Sequence, residues 1–580
     1  MLTPGQRVAR IVPDVSGIDK AFDYSVPTSI DELIDVGSIV RVELNGRRVG
    51  GWVKEIDVEP PAGVSLREIV KFSSVGPSAE IVELADWAAH RWAGRLASIL
   101  RTASPDRMTR QLPRAPDGPD PLLTEAPIDV AGSFNEAGVT VVRLAPGVDL
   151  HPYVVAAASL GDAVIVAPSL ADARHHGAAL RRAGGRVYLA GRDFVQAATA
   201  GSVIGARSAV WASVRKLAVV LVIDEHDESL QEERNPTWHA RDVAVERAMR
   251  AGVPCVLISP APSIAAVKVA ERIVAPSRSE ERAGWPTTQV VDSRSGDPVR
   301  SSLFSSELVD LVRSDLKVLC ILNRKGRARM LACASCGDLA RTLDGEHLMT
   351  EFEGRLQHNG TGESRPLVCA NCGATKLKRL QLGVNRAAEE LAALVGEDVG
   401  DVTADSDAAD IPNDRVLVGT EALLHRSRQA GAVAFLDFDQ ELLAPRYRAG
   451  EQAMALLVRA ARLVGGREEG GRLLIQTRTP NHRVLTSVLR ADPSRFIDEE
   501  TKVRRLTGFP PFGALAEISG APSEAFVDPL RNRLDVTVLG PRADGHYLLR
   551  ADTADHLADV LADADRPRGR LRVAVDPPRV

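Results

Sequence analysis

Between about residues 139 and 280, short apolar runs alternate with stretches of helical periodicity. The runs "VTVVRL", "AVIVAP", "RVYLA", "SVIGA", "LAVVLVIDE" and "VPCVLIS" are separated by segments such as "LADARHHGAALRRAG". Continuous apolar runs suit strands buried on both faces, and their alternation with helices predicts a parallel α/β lobe. The pattern returns over 281–490 with "KVLCILN", "RVLVGT", "AVAFLDFD" and "RLLIQT", which predicts a second such lobe, interrupted at about 331–382 by a cysteine-bearing insertion. Residues 1–105 follow a different rule. There apolar and polar positions alternate, as in "GSIVRVEL" and "VGGWVKEI", and a helix, "SAEIVELADWAAHRWAG", closes what reads as a β-rich domain. Residues 106–138 are dense in Pro, Gly and charge and read as a linker, and 491–580 read as a small α+β domain. The expected fold is therefore multidomain α/β, with a β-rich amino-terminal domain, two parallel lobes and a small carboxy-terminal domain.

Composition narrows the class. A chain of 580 residues, 44% apolar and 26% charged, has room for several cores. No run approaches the roughly 18 apolar residues of a membrane span, and "MLTPGQRVARIVPDV" lacks the apolar core of a signal peptide. A cytoplasmic protein without a membrane partner is the expectation. The net charge of −5 argues against coating nucleic acid nonspecifically but leaves room for a local basic groove. The stretch "VGEDVGDVTADSDAADIPND" is acidic and proline-broken, and reads as a solvated loop.

Chemistry concentrates in three places. Four of the six cysteines form two C-x-x-C pairs, Cys333 with Cys336 and Cys369 with Cys372, each followed by glycine. Two thiolate pairs suit closed tetrahedral coordination of Zn²⁺, with no position left for a catalytic water; free thiols or a redox pair are the alternative. Cys255 and Cys320 lie inside apolar runs and read as inert core thiols. The strand "LAVVLVI" ends in Asp224-Glu225, where open α/β sheets bind ligands and an acid can hold Mg²⁺. Carboxylates are also common where a strand exits to solvent. A phosphate-binding loop of the G-x-x-x-x-G-K-[ST] type would decide between these, but none of the ten lysines follows a glycine. Finally, "AFDY", Ala21 to Tyr24, sets an aromatic beside a carboxylate, which can stack a base and accept from a sugar hydroxyl, or can be core plus turn.

These segments, in this order, resemble the PriA (primosomal protein N′) family of replication restart proteins nearly end to end. "KAFDYSVP" followed by "GSIVRVEL…GRRVGGWVKEI" is similar to the family's 3′-end-binding domain. "VLVIDEHDESL…WHARDVAVERA" is similar to its Mg²⁺-binding strand and surroundings, and "VLCILNRKGRARMLACASCG" to the strand leading into its zinc module. "RRLTGFPPFGALAEI" resembles its carboxy-terminal signature. The resemblance implies helicase-like lobes and a DNA 3′-end pocket at Phe22 and Asp23, with Gly46 and Arg67 where the family has a glycine and a basic residue.

The departures bear on activity. Where the family has its phosphate loop this chain has "LAPGVDLHPYVVAA"; its Asp-Glu-Glu-His is here Asp224-Glu225-His226, one acid short. Its Ser-Ala-Thr coupling segment has become "ISPAPSIAA", where Pro260 lacks a donor, and "RAARLVGGRE" no longer aligns an arginine finger. Losing these together removes the main stabilisers of phosphoryl transfer, so Asp224 and Glu225 are expected to be a degenerate Mg/ATP remnant with no catalytic residue. Of the family's eight zinc cysteines the outer four remain. The inner positions correspond to Thr342, Gly345 and "RLQHNG", with His347 and His358 nearby as surface residues, so one structural Zn²⁺ is expected and the second site is lost. The winged-helix region is shortened into 106–138. The resemblance implies a replication restart and primosome assembly protein that recognises abandoned forks and promotes reloading of the replicative helicase. Forked DNA, single-stranded DNA-binding protein and the replicative helicase or its loader are the implied partners, in the cytoplasm at the nucleoid. An active ATP-dependent 3′→5′ helicase with an unconventional phosphate loop is the alternative, and a zinc-containing assembly factor that binds no DNA is a third.

Overall fold

The strand Leu217–Ile223, apolar throughout, takes the centre of a seven-stranded sheet. It pairs in parallel with Asp162–Val166 on one side and Pro254–Ser259 on the other, with Val220 opposite Cys255. A run without polar interruption can be buried on both faces only there. The computed structural model describes residues 7–59, 64–114, 128–294, 303–323, 331–352, 354–358, 361–379, 384–402, 412–542 and 544–580. The basic run 324–330, residues 403–411 of the acidic stretch and the middle of the linker (115–127) lie outside the described residues, while Val399–Val402 of that acidic stretch, read as a loop, is a strand.

The chain divides into two units. The first comprises Met1–Val142, Asp149–Val274 and Thr507–Pro577. It holds the seven-stranded sheet, whose seventh strand, Arg272–Val274, pairs with Gly138–Arg143 at the edge. Its amino-terminal part is a five-stranded antiparallel sheet in the order 22–25, 8–13, 47–56, 39–44, 71–74, closed by helices Ala79–Arg91 and Leu96–Ala103. The hairpin between Ile39–Leu44 and Arg47–Ile56 turns through Asn45 and Gly46, at φ 49° and 75°. Two consecutive positive φ values define the tight turn whose twist matches the strands, which accounts for Asn-Gly there. The carboxy-terminal part is a four-stranded antiparallel sheet with helix Ala554–Asp563. It packs in the same core as Trp92, Trp211 and Trp238. Gln231 Nε2 and Thr237 Oγ1 donate to the carbonyls of Asp576 and Val575, each at 2.8 Å, and Arg91 pairs with Asp576 at 2.7 Å. Residues 128–134, read as linker, form a short helical segment in which Val130 and Phe134 are buried.

The second unit comprises Arg143–Val148, Ala275–Leu506 and Pro578–Val580. Its six-stranded parallel sheet runs 287–292, 472–477, 432–435, 318–321, 416–419, 399–402. The two edge strands carry "TTQVVD" and "VGDV", whose polar residues hide them from a search for apolar runs. Helix Pro493–Thr507 belongs to this unit rather than to the small terminal domain. Its buried Arg504 pairs with Glu500 at 2.8 Å and with Glu451, while Arg483 pairs with Glu500 at 2.7 Å. Among the described residues no helix is long and apolar enough to cross a membrane.

Candidate metal centre and nucleic-acid interface

The cysteine insertion is held by two matching turns. Each C-x-x-C-G places glycine at φ 74°, at Gly337 and Gly373. The glycine amides donate to the carbonyls of Cys333 and Cys369, each at 3.0 Å, and the amides of those cysteines close the knuckles by bonding to Asp338 and Ala374. The four sulfurs converge, all within 4.8 Å of one another. Cys333 Sγ lies 3.5 Å from Cys372 Sγ and Cys336 Sγ 3.6 Å from Cys369 Sγ. Those separations are too long for disulfides, near 2.05 Å, and close to the roughly 3.8 Å edge of a tetrahedron of sulfurs 2.3 Å from Zn²⁺. Burial pushes the Cys333 thiol up, but the backbone N–H groups of Cys336 and Ser335 donate to its sulfur and hold it down at about 7. The group could hold a metal ion, and its donors and spacing are consistent with zinc. The module is fastened to its own lobe: Arg478 Nε donates to the Gly337 carbonyl at 3.0 Å, and Arg341 Nη2 donates to Thr479 Oγ1 at 2.7 Å.

Beyond the four cysteines the module is built otherwise. Leu331, Ala340, Met349 and Leu356 form a small apolar core. His347 and His358 stack at 4.8 Å between centroids with planes 6° apart. His358 is not the surface residue expected from the sequence: it is 8% exposed, and its Nδ1 accepts from the Thr361 amide at 3.1 Å. Burial first, and then the neighbouring His347 ring, push its pKa below the ordinary value. Thr342 is buried and donates to Asp344, and Gly345 occupies a turn at φ 77°. Among the described residues the only group of metal donors is the four-cysteine cluster.

At the central strand of the first unit, Asp224 is buried at φ 50°, a left-handed conformation that aspartate tolerates better than most residues and that turns the chain out of the strand. Glu225 is fully buried and its carboxylate is occupied. Oε1 accepts from the Ser263 amide at 2.6 Å; Oε2 accepts from the Ser263 hydroxyl at 2.8 Å and from Arg241 Nη1 at 3.4 Å. Ser263 in turn caps helix Ile264–Val269. Ser259 Oγ lies 2.7 Å from His226 Nδ1. Pro260 lacks a donor, yet the serines on either side of it still tie this segment to the acidic strand end.

The helix after the first strand of that sheet, His151–Ser159, begins where a phosphate loop would deliver its anion. Its first amides are spent: His151 N donates to Asp149 Oδ1 at 2.9 Å, Pro152 has none, and those of Tyr153 and Val154 bond to the Leu150 carbonyl. A carboxylate of the chain sits where an anion would enter.

The remaining predicted residues lie in the amino-terminal sheet. Phe22 and Tyr24 face the core of this sheet, Tyr24 fully and Phe22 in part. Asp23, between them, faces the other way. Its carboxylate takes a two-pronged pair from Arg10, Nε at 2.9 Å and Nη2 at 3.3 Å, and its side chain is 9% exposed. Arg67 is exposed and pairs with Glu43. The structure brings Arg67 to Tyr24 and Glu43 rather than to Asp23: the Ser25 amide donates to the Arg67 carbonyl at 3.0 Å, and Tyr24 Oη donates to the Glu43 carbonyl at 3.1 Å. Gly46 lies in the turn just beyond Glu43. Tyr24, Glu43 and Arg10 are the neighbours to which sequence reasoning gave no role, although Tyr24 lies in "AFDY" and Glu43 in "GSIVRVEL".

Two parallel α/β sheets, one in each unit and the second carrying a four-cysteine insertion, with an antiparallel β domain at the amino terminus, define a multidomain α/β protein. Residues 10–105, the antiparallel domain, match the family model described as the PriA 3′DNA-binding domain (3′BD). The replication restart protein PriA of Haemophilus influenzae is 28% identical over 53% of this chain and 46% of its own length, and that of Bacillus subtilis 26% identical over 55% and 43%. The chain thus spans about half the length of these relatives. The probable replication restart protein PriA of Mycobacterium tuberculosis H37Rv matches across 91% of this chain and 89% of its own, at 28% identity. Among solved structures, a DEAD box protein from Methanococcus jannaschii overlaps 65% of this chain and 91% of its own at 11% identity, with a TM-score of 0.33. The chain is thus similar to PriA proteins, in the mycobacterial case along nearly its whole length.

Proposed function

We propose that this protein acts in replication restart: it recognises abandoned forks through its amino-terminal domain and promotes reloading of the replicative helicase, without a motor of its own. The observation that carries the reading is the match of residues 10–105 to a 3′DNA-binding domain. The names of the relatives, replication restart proteins, agree with it. The absence of a motor is supported by the missing Gly-Lys pair, the internal commitment of Glu225 and the occupied helix start at His151. In this reading Asp23 meets the 3′ end from one face of its strand, and Phe22, Gly46 and Arg67 are carried as end-binding residues by the resemblance alone. With Arg10 holding Asp23 on one side, the carboxylate still has lone pairs for a terminal hydroxyl. Cys333, Cys336, Cys369 and Cys372 hold one structural Zn²⁺, and the second site of the family is replaced by the apolar core and stacked histidines. Single-stranded DNA-binding protein and the replicative helicase or its loader are the protein partners, met in the cytoplasm at the nucleoid.

The test is the affinity for a model fork ending in either a 3′-hydroxyl or a 3′-phosphate, with ATP hydrolysis measured alongside. Several-fold tighter binding of the hydroxyl fork, lost in Asp23→Ala, and no fork-stimulated hydrolysis are expected. Hydrolysis that Asp224→Ala abolishes would overturn the motor-free reading in favour of an active helicase.

A further inference from the structure

The amino-terminal sheet has a second feature of its own. Val40 and Val42 point into the core of this sheet, whereas Ile39 on the same strand packs against the closing helices. Alternation therefore sets Ile39, Arg41 and Glu43 on the outer face. Register adds their partners: Arg41 lies opposite Gly50 and Lys71, and Glu43 lies opposite Arg48. Two carboxylates border this face, and each is taken by an arginine, Glu43 by Arg67 and Asp14 by Arg101. Arg41, Arg48 and Lys71 are exposed, and their side chains make no ion pair or hydrogen bond among the described residues. Gly50 leaves the middle of the strip open: a Cβ there would meet only Asp14 Cβ, at 3.9 Å.

Three unpaired cations on a flat strand face, in a chain of net charge −5, form a local exception to the charge of the molecule. Side chains two apart on one strand face are about 7 Å apart and cross-strand neighbours about 5 Å, a spacing that lets separate cations meet successive phosphates. We propose that this outer face grips the sugar-phosphate backbone of a duplex arm through Arg41, Arg48 and Lys71, apart from any reading of the 3′ end. The inference rests on the DNA-binding reading above. A backbone grip is independent of sequence and supplies salt-dependent affinity, while an end pocket supplies selection.

The experiment is a salt titration of fork binding by the full chain. Each phosphate contact contributes about 0.9 to the slope of log K against log salt, so the triple variant Arg41→Ala, Arg48→Ala, Lys71→Ala flattens it by about 2.7. Preference for a 3′-hydroxyl over a 3′-phosphate stays as in the wild type. Gly50→Glu, which the open strip accommodates, weakens binding with an unchanged melting temperature. A triple variant with the wild-type slope overturns the proposal and leaves the face to an acidic protein. A wild-type chain that shows the slope difference but no end preference overturns the end pocket and upholds this face; a wild-type chain that binds no DNA overturns both.

Discussion

The four-cysteine module and the acidic strand end both carry residue types associated with metal ions, and they differ in what else satisfies them. Glu225 has an amide, a hydroxyl and a guanidinium around its carboxylate, all from the chain itself. The four sulfurs have chiefly one another and a few backbone amides. A buried carboxylate that already carries three bonds from the chain, one of them from a guanidinium, has less to gain from a further cation. Four converging thiols, by contrast, gain their charge balance only from a metal. Internal satisfaction thus separates a structural acid from a ligand better than residue type does. The stacked histidines fall on the structural side of this line, since His358 Nδ1 already accepts from Thr361.

The largest test of this contrast is removal of the metal. Binding of a structural zinc is worth about 10–16 kcal/mol in small zinc domains. Stripping the full chain with a chelator, or Cys369→Ser, should make residues 331–379 sensitive to protease while the seven-stranded sheet keeps its melting transition. A module that stays protected after its metal content falls to zero would break the contrast. Next in size is Glu225→Ala, which leaves Arg241, 5% exposed, without its buried partner. Loss of one member of such a pair costs about 3–5 kcal/mol, read by urea denaturation, and added Mg²⁺ should not stabilise the wild type. A neutral Glu225→Ala together with stabilisation by Mg²⁺ would move Glu225 to the side of the ligands.

The smallest effect concerns Asp242, which shares Arg241. Burial raises its pKa, but Arg241 and His239 hold the carboxyl down at about 2, against an ordinary 3.8. A lowered carboxylate pKa stabilises the fold above the unfolded value and loses that contribution as pH falls through the folded one. Acid unfolding should therefore steepen between about pH 4 and pH 2, and Asp242→Asn should flatten that limb. With the side chain 35% exposed the effect stays below about 1 kcal/mol. An unchanged acid limb would mean that Arg241 belongs to Glu225 alone.

Local sequence determined a good deal of this protein. Uninterrupted valine-rich runs can be satisfied only between two paired neighbours and two covered faces, so the central strands 162–166, 217–223 and 254–259 were legible. C-x-x-C-G was legible because the bonds that close each knuckle, Gly337 to Cys333 and Cys333 to Asp338, Gly373 to Cys369 and Cys369 to Ala374, lie within a few residues. The buried thiols Cys255 and Cys320, pushed up to about 12 by burial, follow from the runs around them. A missing lysine needs no structure to be noticed. Other features depended on partners far along the chain. The edge strands 272–274, 287–292 and 399–402 are too polar or short to announce themselves and form because a neighbouring strand offers its free edge. Glu225 meets Ser263, 38 residues away, and Arg241, 16 away, which decides that it is internal. Asp23 next to Phe22 looked like one constellation, yet strand alternation sends them to opposite faces and gives the carboxylate to Arg10. Residue types and short-range spacing are properties of the chain, whereas the filling of a carboxylate, or the face a side chain meets, is set by contacts between segments that only folding brings together.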